Sequence, residues 1–358
     1  MDNFLRAETE RLARSWLQHD AAHLRDYLVA GVEDPRVNVQ SVLTRHFLIA
    51  ALFEARFDKL MEEELRFAAA MNWLRRPESE PESPEARAAL LHALRRGADN
   101  AEGFEIPPFL TQLFARLPAK AGDVFVPNYL EQFLAGDARL NVLATFQELW
   151  ADVLESEIPQ AVRVLEPACG SANDYRCLAR FGIARLIDYT GFDLCEKNVA
   201  NARALFPGVR FEVGNAFEIP VVDGAFELSF VHDLFEHLSP EALPVAVREL
   251  CRVTRRGLCV GFFQMDEMPE HVVRPVDEYH WNTLSLTRTQ ALFAEQGFDV
   301  QPLHIGTCLR WRTGCAGTHN PNAYTFIAFR QGPSPAPATS APEPNPFQPP
   351  SWTKPTLR

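Results

Sequence analysis

The segment that decides the fold is residues 162–174, which read VRVLEPACGSAND. Its apolar start predicts a short buried strand. That strand ends at the acid Glu166, and the residues after it are nearly all small, with Gly170 free to adopt a positive φ. Such a turn lets the backbone pass close to a ligand, and the helix predicted after it offers free N–H groups. We therefore expect a strand, a ligand-binding turn and a helix in this order.

A strand with a polar end recurs along the chain. Later strands are predicted to end near Asp193, Asn215 and Asp233, with helical segments between them. This alternation indicates a parallel sheet covered by helices, and ligands bind at the carboxyl edge of such sheets. The fold class expected is α/β, a Rossmann-like doubly wound sheet of seven strands with the last one antiparallel, preceded by an α-helical N-terminal domain. The predicted strands are residues 162–165, 186–192, 209–213, 226–232, 257–263, 299–305 and 323–330.

The residue types at these strand ends suit a nucleoside that carries a positive charge. Glu166 would attract an ammonium or a sulfonium group and repel a pyrophosphate, and the G-x-G-x-x-G pattern of nicotinamide folds is missing. Asp193 can accept hydrogen bonds from both ribose hydroxyls, or it can cap the next helix. Asn215 can meet the amino edge of an adenine beside the small Ala216, or it can be an ordinary turn residue.

From about residue 130 to 330 the chain resembles the class I S-adenosylmethionine-dependent methyltransferases. The family motif D/E-x-G-x-G-x-G falls on Glu166, Ala168, Gly170 and Ala172, so two of its three glycines are alanine here. The family's ribose acid falls on Asp193. Cofactor-binding positions implied by the resemblance are Glu166, Ala168, Gly170, Asn173, Asp193, Leu194, Asn215, Ala216 and His232.

Residues 232–238, HDLFEHL, resemble the V-L-E-H-L signature after the family's fourth strand. Amino-methylating DNA enzymes with a similar first loop carry N-P-P-Y/F there, so N6-adenine chemistry is not expected. Residues 290–300 are similar to the family's helix, Gly-Phe turn and sixth strand.

Three residues are candidates for a catalytic base, which is needed only when the acceptor must lose a proton. They are His232 and Asp233 at the mouth of the cleft, and His280 on a loop that commonly faces substrate in this fold.

A divalent cation such as Mg²⁺ is a further candidate. Asp233, Glu236 and His237 have i, i+3, i+4 spacing and resemble the E-x-x-E-H metal ligands of ubiquinone-pathway and small-RNA 2′-O-methyltransferases, where His280 could complete the set. The alternative is that Glu236 and His237 simply cap or pack a helix.

Three regions are expected along the chain. Residues 1–127 form a helical domain that acts as a lid or an oligomerisation surface, residues 128–330 form the methyltransferase domain, and the proline-rich residues 331–358 are disordered. The net charge of −12 disfavours nucleic acid, and seven cysteines without a CxxC pair indicate free thiols in the cytoplasm. A charged N-terminus and the lack of a long apolar run indicate neither a signal peptide nor a membrane span.

The expected function is S-adenosylmethionine-dependent methyl transfer to the oxygen, nitrogen or carbon of a small molecule. RNA or protein methylation is the alternative enzyme, and a basic patch at Arg252, Arg255 and Arg256 near the cleft would favour it. A binding module of this fold without catalysis is the alternative outside enzymes. A homodimer is compatible with the sequence.

Overall fold

A seven-stranded mixed sheet forms the centre of the protein. The computed structural model describes residues 3–14, 34–74, 100–101, 104–105, 141–314, 318 and 320–331. The strands are β1 (Arg163–Pro167), β2 (Asp188–Asp193), β3 (Arg210–Val213), β4 (Phe226–His232), β5 (Thr254–Phe262), β6 (Phe298–His304) and β7 (Tyr324–Arg330). They are hydrogen-bonded in the order β6-β7-β5-β4-β1-β2-β3. Each strand begins and ends within three residues of the bounds predicted from the sequence.

The first five strands are parallel, and β7 runs antiparallel to both of its neighbours, β5 and β6. The predicted fold class, with seven strands and an antiparallel last strand, is therefore confirmed. Because β1 pairs with both β2 and β4, the strand order reverses beside β1. Ligands bind at such a switch point, outside the carboxyl ends of the strands.

Helices surround this sheet and are joined to it by short turns. They are α1 (Asn3–Ala13), α2 (Val39–Phe53), α3 (Asp58–Leu74), α4 (Thr145–Leu154), α5 (Asn173–Arg180), α6 (Glu196–Leu205), α7 (Leu243–Val253), α8 (Leu286–Glu295) and α9 (Ile305–Thr313). Single turns of 3₁₀ helix lie at Glu54–Phe57, Asn141–Ala144, Ala184–Leu186 and Phe235–His237. Short strand pairs join Asn100–Ala101 to Phe104–Glu105, Pro275–Val276 to Tyr279–His280, and Met265–Asp266 to Leu284–Ser285.

Helix α2 is buried on nearly every side, because it packs on the sheet. Asn38 caps it by accepting hydrogen bonds from the N–H groups of Gln40 and Ser41. The Gln40 side chain donates to two carbonyls of the sheet. One belongs to Phe262 at the end of β5, at 3.1 Å, and the other to Tyr324 at the start of β7, at 3.0 Å. The apolar residues of this helix belong to the main hydrophobic core, and its buried polar side chains are satisfied by hydrogen bonds such as those of Gln40.

Glu64 in α3 is the centre of a buried polar network that joins three helices. Its Oε1 accepts two hydrogen bonds from Arg45 in α2, and its Oε2 accepts from Trp150 Nε1 in α4 at 2.7 Å and contacts His46 Nε2 at 2.8 Å. Burial alone would raise the pKa of Glu64, but the charges and hydrogen bonds of Arg45 and His46 together outweigh it and lower the pKa to about 2. The Arg45 guanidinium also lies 4.0 Å over the ring of Phe181.

Some predictions concern residues that the structure does not describe. These are the boundary between residues 127 and 128 and the proline-rich tail from residue 332 onward, and both stay predictions. In the part of the chain that is described, no helix is both long and apolar enough to cross a membrane.

Candidate cofactor and acceptor site

The carboxylate of Glu166 lies at the carboxyl end of β1, at the switch point. The side chain is buried, and the hydroxyl of Tyr189 donates a hydrogen bond to its Oε2. Burial raises the pKa of Glu166 well above its usual value, and the nearby charge of Asp174 raises it further, while the Tyr189 hydrogen bond opposes both. This carboxyl group therefore holds its proton more tightly than an exposed glutamate does.

The turn after β1 repeats a left-handed backbone at every second residue. The φ angles are 55° at Ala168, 53° at Gly170 and 67° at Ala172. These are the three motif positions that the methyltransferase family fills with glycine, and a residue with a Cβ is strained in this conformation. The N–H of Gly170 donates to Asp193 Oδ2 at 2.9 Å, which ties the turn to the end of β2. The two alanines therefore adopt a backbone conformation that glycine favours.

A glycine substitution at these alanines should therefore not destabilise the protein. The left-handed conformation costs an alanine about 1–2 kcal/mol, which offsets the entropy that a glycine loses on folding. We expect Ala168→Gly to change the free energy of unfolding by between about 0 and +1 kcal/mol in urea titrations. The matched control is Ala200→Gly in the exposed face of α6, which should lose about 1 kcal/mol. Equal losses at both positions would contradict this interpretation.

Asp193 ends β2, and both of its oxygens are engaged. Besides the bond from Gly170, its Oδ1 accepts from the N–H of Cys195 at 2.8 Å and from Asn198 Nδ2 at 3.2 Å. The sequence left open whether this acid binds ribose or caps a helix, and these contacts hold it at the start of α6.

Asn215 and Ala216 follow β3, and α1 lies beside them. Asn215 Oδ1 accepts from the N–H of Phe217 at 2.9 Å, and Asn215 Nδ2 donates to Thr9 Oγ1 in α1 at 2.9 Å. The Ala216 side chain is partly buried between the apolar groups next to β4 and β1. Thr9 was missed by the sequence analysis, because nothing in the sequence near Thr9 indicates a contact more than 200 residues away.

Helix α1 is anchored across this edge by two charged side chains. Glu8 is buried, accepts from the N–H of Ser239 at 2.9 Å and forms an ion pair with Arg11. Arg11 in turn donates to the carbonyl of Glu278 and contacts His280 Nδ1 at 3.3 Å. The helix thus connects the segment after β4 with the short hairpin at residues 275–280.

His232, at the end of β4, has a hydrogen-bonding partner on each ring nitrogen. Its Nδ1 lies 3.2 Å from Asp174 Oδ2 in the first turn of α5, and its Nε2 lies 2.8 Å from Thr44 Oγ1 in α2. Gly261 makes room for the ring, since a Cβ there would lie 2.6 Å from His232 Cδ2. Burial alone would lower the pKa of His232, but the charge and hydrogen bond of Asp174, together with the charge of Asp233, outweigh it and raise the pKa.

The sequence analysis missed both of these partners. Asp174 could have been predicted as a site residue, since it directly follows the proposed cofactor loop and lies at the start of a helix. Thr44 carried none.

The other two catalytic candidates have different surroundings. Asp233 is exposed and has a φ of 52°, an unusual conformation for a non-glycine residue that is often found at functional sites. His280 accepts the Arg11 contact on Nδ1, which leaves the proton of the neutral ring on Nε2. Burial, followed by the charge of Arg11, lowers the pKa of His280.

The metal site predicted from Asp233, Glu236 and His237 is not formed. Glu236 is fully buried, and its Oε1 accepts from the N–H groups of Phe263 at 2.7 Å and Gln264 at 3.3 Å. His237 donates from Nδ1 to the carbonyl of His280 at 3.0 Å, and its ring packs against aromatic rings.

Over the described residues, no group of three or more histidine, cysteine, aspartate or glutamate side chains can hold a metal ion. The donor set does not fit Mg²⁺. Glu236 and His237 pack the loops together, which is the alternative that the sequence left open.

Comparison with known families identifies the domain that contains this site. Residues 164–257 match the family described as a methyltransferase domain. Residues 164–257 are therefore a methyltransferase domain. The expectation of a methyltransferase is confirmed, and the matched stretch runs from β1 into β5, so it includes every strand end named above. None of the curated proteins matches the sequence.

Several solved structures are similar to the methyltransferase. A cyclase named SpnF is 18% identical, covers 54% of this chain and 82% of its own, and has a TM-score of 0.37. A S-adenosylmethionine-dependent methyltransferase from Methanosarcina mazei is 16% identical over 50% of this chain and 96% of its own, with a TM-score of 0.36. The 1,6-didemethyltoxoflavin-N1-methyltransferase from Burkholderia thailandensis is 14% identical over 60% and 90%, with a TM-score of 0.35.

Proposed function

We propose that the protein transfers the methyl group of S-adenosylmethionine to a small-molecule acceptor bound at the carboxyl edge of the sheet. The observation that carries this proposal is the convergence of Glu166, Asp193 and the left-handed turn at the switch point beside β1. In this proposal the cofactor supplies a methyl group that is already activated by the sulfonium charge. The protein's part is to hold the two reactants in line and to exclude water.

The residues at this edge fit such a cofactor by their chemistry. Asp193 would accept the ribose hydroxyls, the turn from Ala168 to Ala172 would pass along the amino-acid part, and Asn215 with Ala216 would meet the adenine. Glu166 and Asp193 are buried carboxyl groups, and a cationic ligand suits such surroundings better than a phosphate does. Leu194 and Asn173 flank these positions in the sequence and complete the proposed set.

Two observations support a small acceptor rather than RNA. First, α1 and the hairpin at residues 275–280 cover the edge of the site, which suits a ligand enclosed in a cleft. Second, Arg252 is paired with Asp223 and Glu249, and Arg255 is paired with Glu227, so these arginines are neutralised. Arg252 lies in the last turn of α7 and Arg255 at the start of β5, at the opposite end of that strand from the site.

Acceptors that must lose a proton need a base, and the three candidates remain proposals. Asp233 is the most exposed of them, and the rings of His280 and His232 are partly buried. We also propose that the protein works in the cytoplasm, in agreement with the buried free thiols of Cys169, Cys177, Cys251 and Cys259. A homodimer stays a prediction.

The proposed function is tested by calorimetric titration with S-adenosylmethionine and with S-adenosylhomocysteine. We expect both to bind with dissociation constants on the order of micromolar, or about −8 kcal/mol. Acceptors would then be screened with the labelled cofactor, and chelators should not change the activity, because the described residues form no group of metal ligands. The absence of binding at millimolar ligand would overturn the proposal and favour a protein of this fold without methyl transfer.

A further inference from the structure

Four side chains from four different elements form a hydrogen-bonded row beside the cofactor site. Asp174 of α5 contacts His232 of β4, His232 contacts Thr44 of α2, and Thr44 Oγ1 lies 3.3 Å from Cys259 Sγ of β5. The His232 and Asp174 side chains are 13% and 23% exposed, so solvent reaches this end of the row. Thr44 and Cys259 are buried.

The row satisfies both protonation states of His232. In the imidazolium, Nδ1–H donates to Asp174, Nε2–H donates to Thr44, and the Thr44 hydroxyl can donate to Cys259. In the neutral ring, Nδ1–H still donates to Asp174, while the Thr44 hydroxyl turns to donate to Nε2 and the Cys259 thiol can donate to Thr44. The thiol stays protonated, because burial raises the pKa of Cys259 to about 12. Losing the proton therefore leaves no buried polar atom without a partner.

The charge that holds this proton belongs to the acidic side of the cofactor site. Two main causes raise the pKa of Glu166. The larger is burial, and the next is the negative charge of Asp174. The other charged groups around the pair are Asp233, which also favours the imidazolium, and Arg45, which acts on Asp174. A proton on His232 is therefore stabilised by the carboxylate of Asp174.

We propose that binding of a sulfonium ligand beside Glu166 and Asp174 expels the proton of His232. The ligand places a second positive charge near the imidazolium of His232. Because like charges at short range repel each other, this second charge lowers the pKa of His232. The Nε2–H bond breaks, its electron pair stays on Nε2, and the proton passes to the buffer. Asp174 is then a positioning residue that keeps His232 charged until the cofactor arrives. This inference rests on the proposed function, because it assumes that a sulfonium cofactor binds at this edge.

The test is calorimetric titration at several pH values, each in buffers with different enthalpies of ionisation, which measures the protons released per ligand bound. S-adenosylmethionine should release up to about one proton, and S-adenosylhomocysteine, which lacks the sulfonium charge, should release markedly fewer. Equal release by the two ligands at every pH would overturn the inference. The absence of binding by either would instead overturn the proposed function, so the two failures are distinguishable.

Substitutions then assign the proton. Asp174→Asn keeps the shape of the side chain and removes its charge, and His232→Gln replaces the titratable ring with an uncharged amide. In both variants the difference in proton release between the two ligands should disappear. Thr44→Ser retains the hydroxyl and should preserve the difference. A difference that survives in Asp174→Asn or His232→Gln would contradict the assignment.

A second measurement uses the native protein, and a variant is needed only to assign the His232 signal. Nuclear magnetic resonance of ¹³C-labelled histidine follows the His232 ring through a pH titration in the native protein. Its midpoint should fall when S-adenosylmethionine is added and stay closer to the free value with S-adenosylhomocysteine. An unchanged midpoint with a bound sulfonium ligand would overturn the inference.

Discussion

Replacing Glu64 with alanine should lower the free energy of unfolding by about 3–5 kcal/mol. The substitution leaves the Arg45 guanidinium charged and buried without its anionic partner, and it removes the acceptor for Trp150 Nε1. The carbonyls of Pro35 and Arg36 still accept from Arg45, but they carry no net charge. Because the network joins α2, α3 and α4 against the sheet, its loss should weaken the whole fold rather than one helix.

Urea denaturation followed by circular dichroism measures this loss. The matched control is Glu157→Ala, which breaks an ion pair with Arg56, whose side chain is 57% exposed. That pair should contribute less than about 1 kcal/mol, since solvent screens it. Glu64→Gln keeps an acceptor oxygen and should fall between the two. Similar losses in Glu64→Ala and Glu157→Ala would show that the network is not required for stability.

Replacing Asp193 with alanine should weaken S-adenosylmethionine binding by about 10- to 150-fold, which corresponds to roughly 1.5–3 kcal/mol. Two causes act together in this variant. The ribose hydroxyls would lose their acceptor, and the turn after β1 would lose the bond from the Gly170 N–H that holds it against β2. Calorimetric titration gives the affinity, and thermal unfolding of the free protein shows whether the variant is folded.

The control for Asp193 is the acid at the other end of the same strand. Asp188 begins β2 and is exposed, with a side chain 3.9 Å from Arg163. Asp188→Ala should leave the affinity for the cofactor unchanged. Asp193→Asn helps to separate the two causes. Its single carbonyl oxygen can accept a hydrogen bond from the Gly170 N–H or from the ribose. A folded Asp193→Ala protein with unchanged affinity would remove Asp193 from the proposed site.

The metal prediction shows where reasoning from spacing failed. Asp233, Glu236 and His237 have a spacing that can point three ligands in one direction on a regular helix. The segment is a single 3₁₀ turn at Phe235–His237, and the loop after β5 supplies two N–H groups to Glu236. Since those donors lie almost 30 residues further along the chain, the local sequence carried no information about them.

The sequence by itself determined the seven strands and the order of polar residues at the strand ends. These features depend on local hydrophobic patterns and on turn residues that are close in the chain. Only the tertiary structure decided that α2 is buried on the sheet, that Thr9 contacts Asn215, and that Thr44 and Asp174 flank His232. Those contacts join elements separated by 58 to 206 residues, so they depend on how the elements pack rather than on any local pattern.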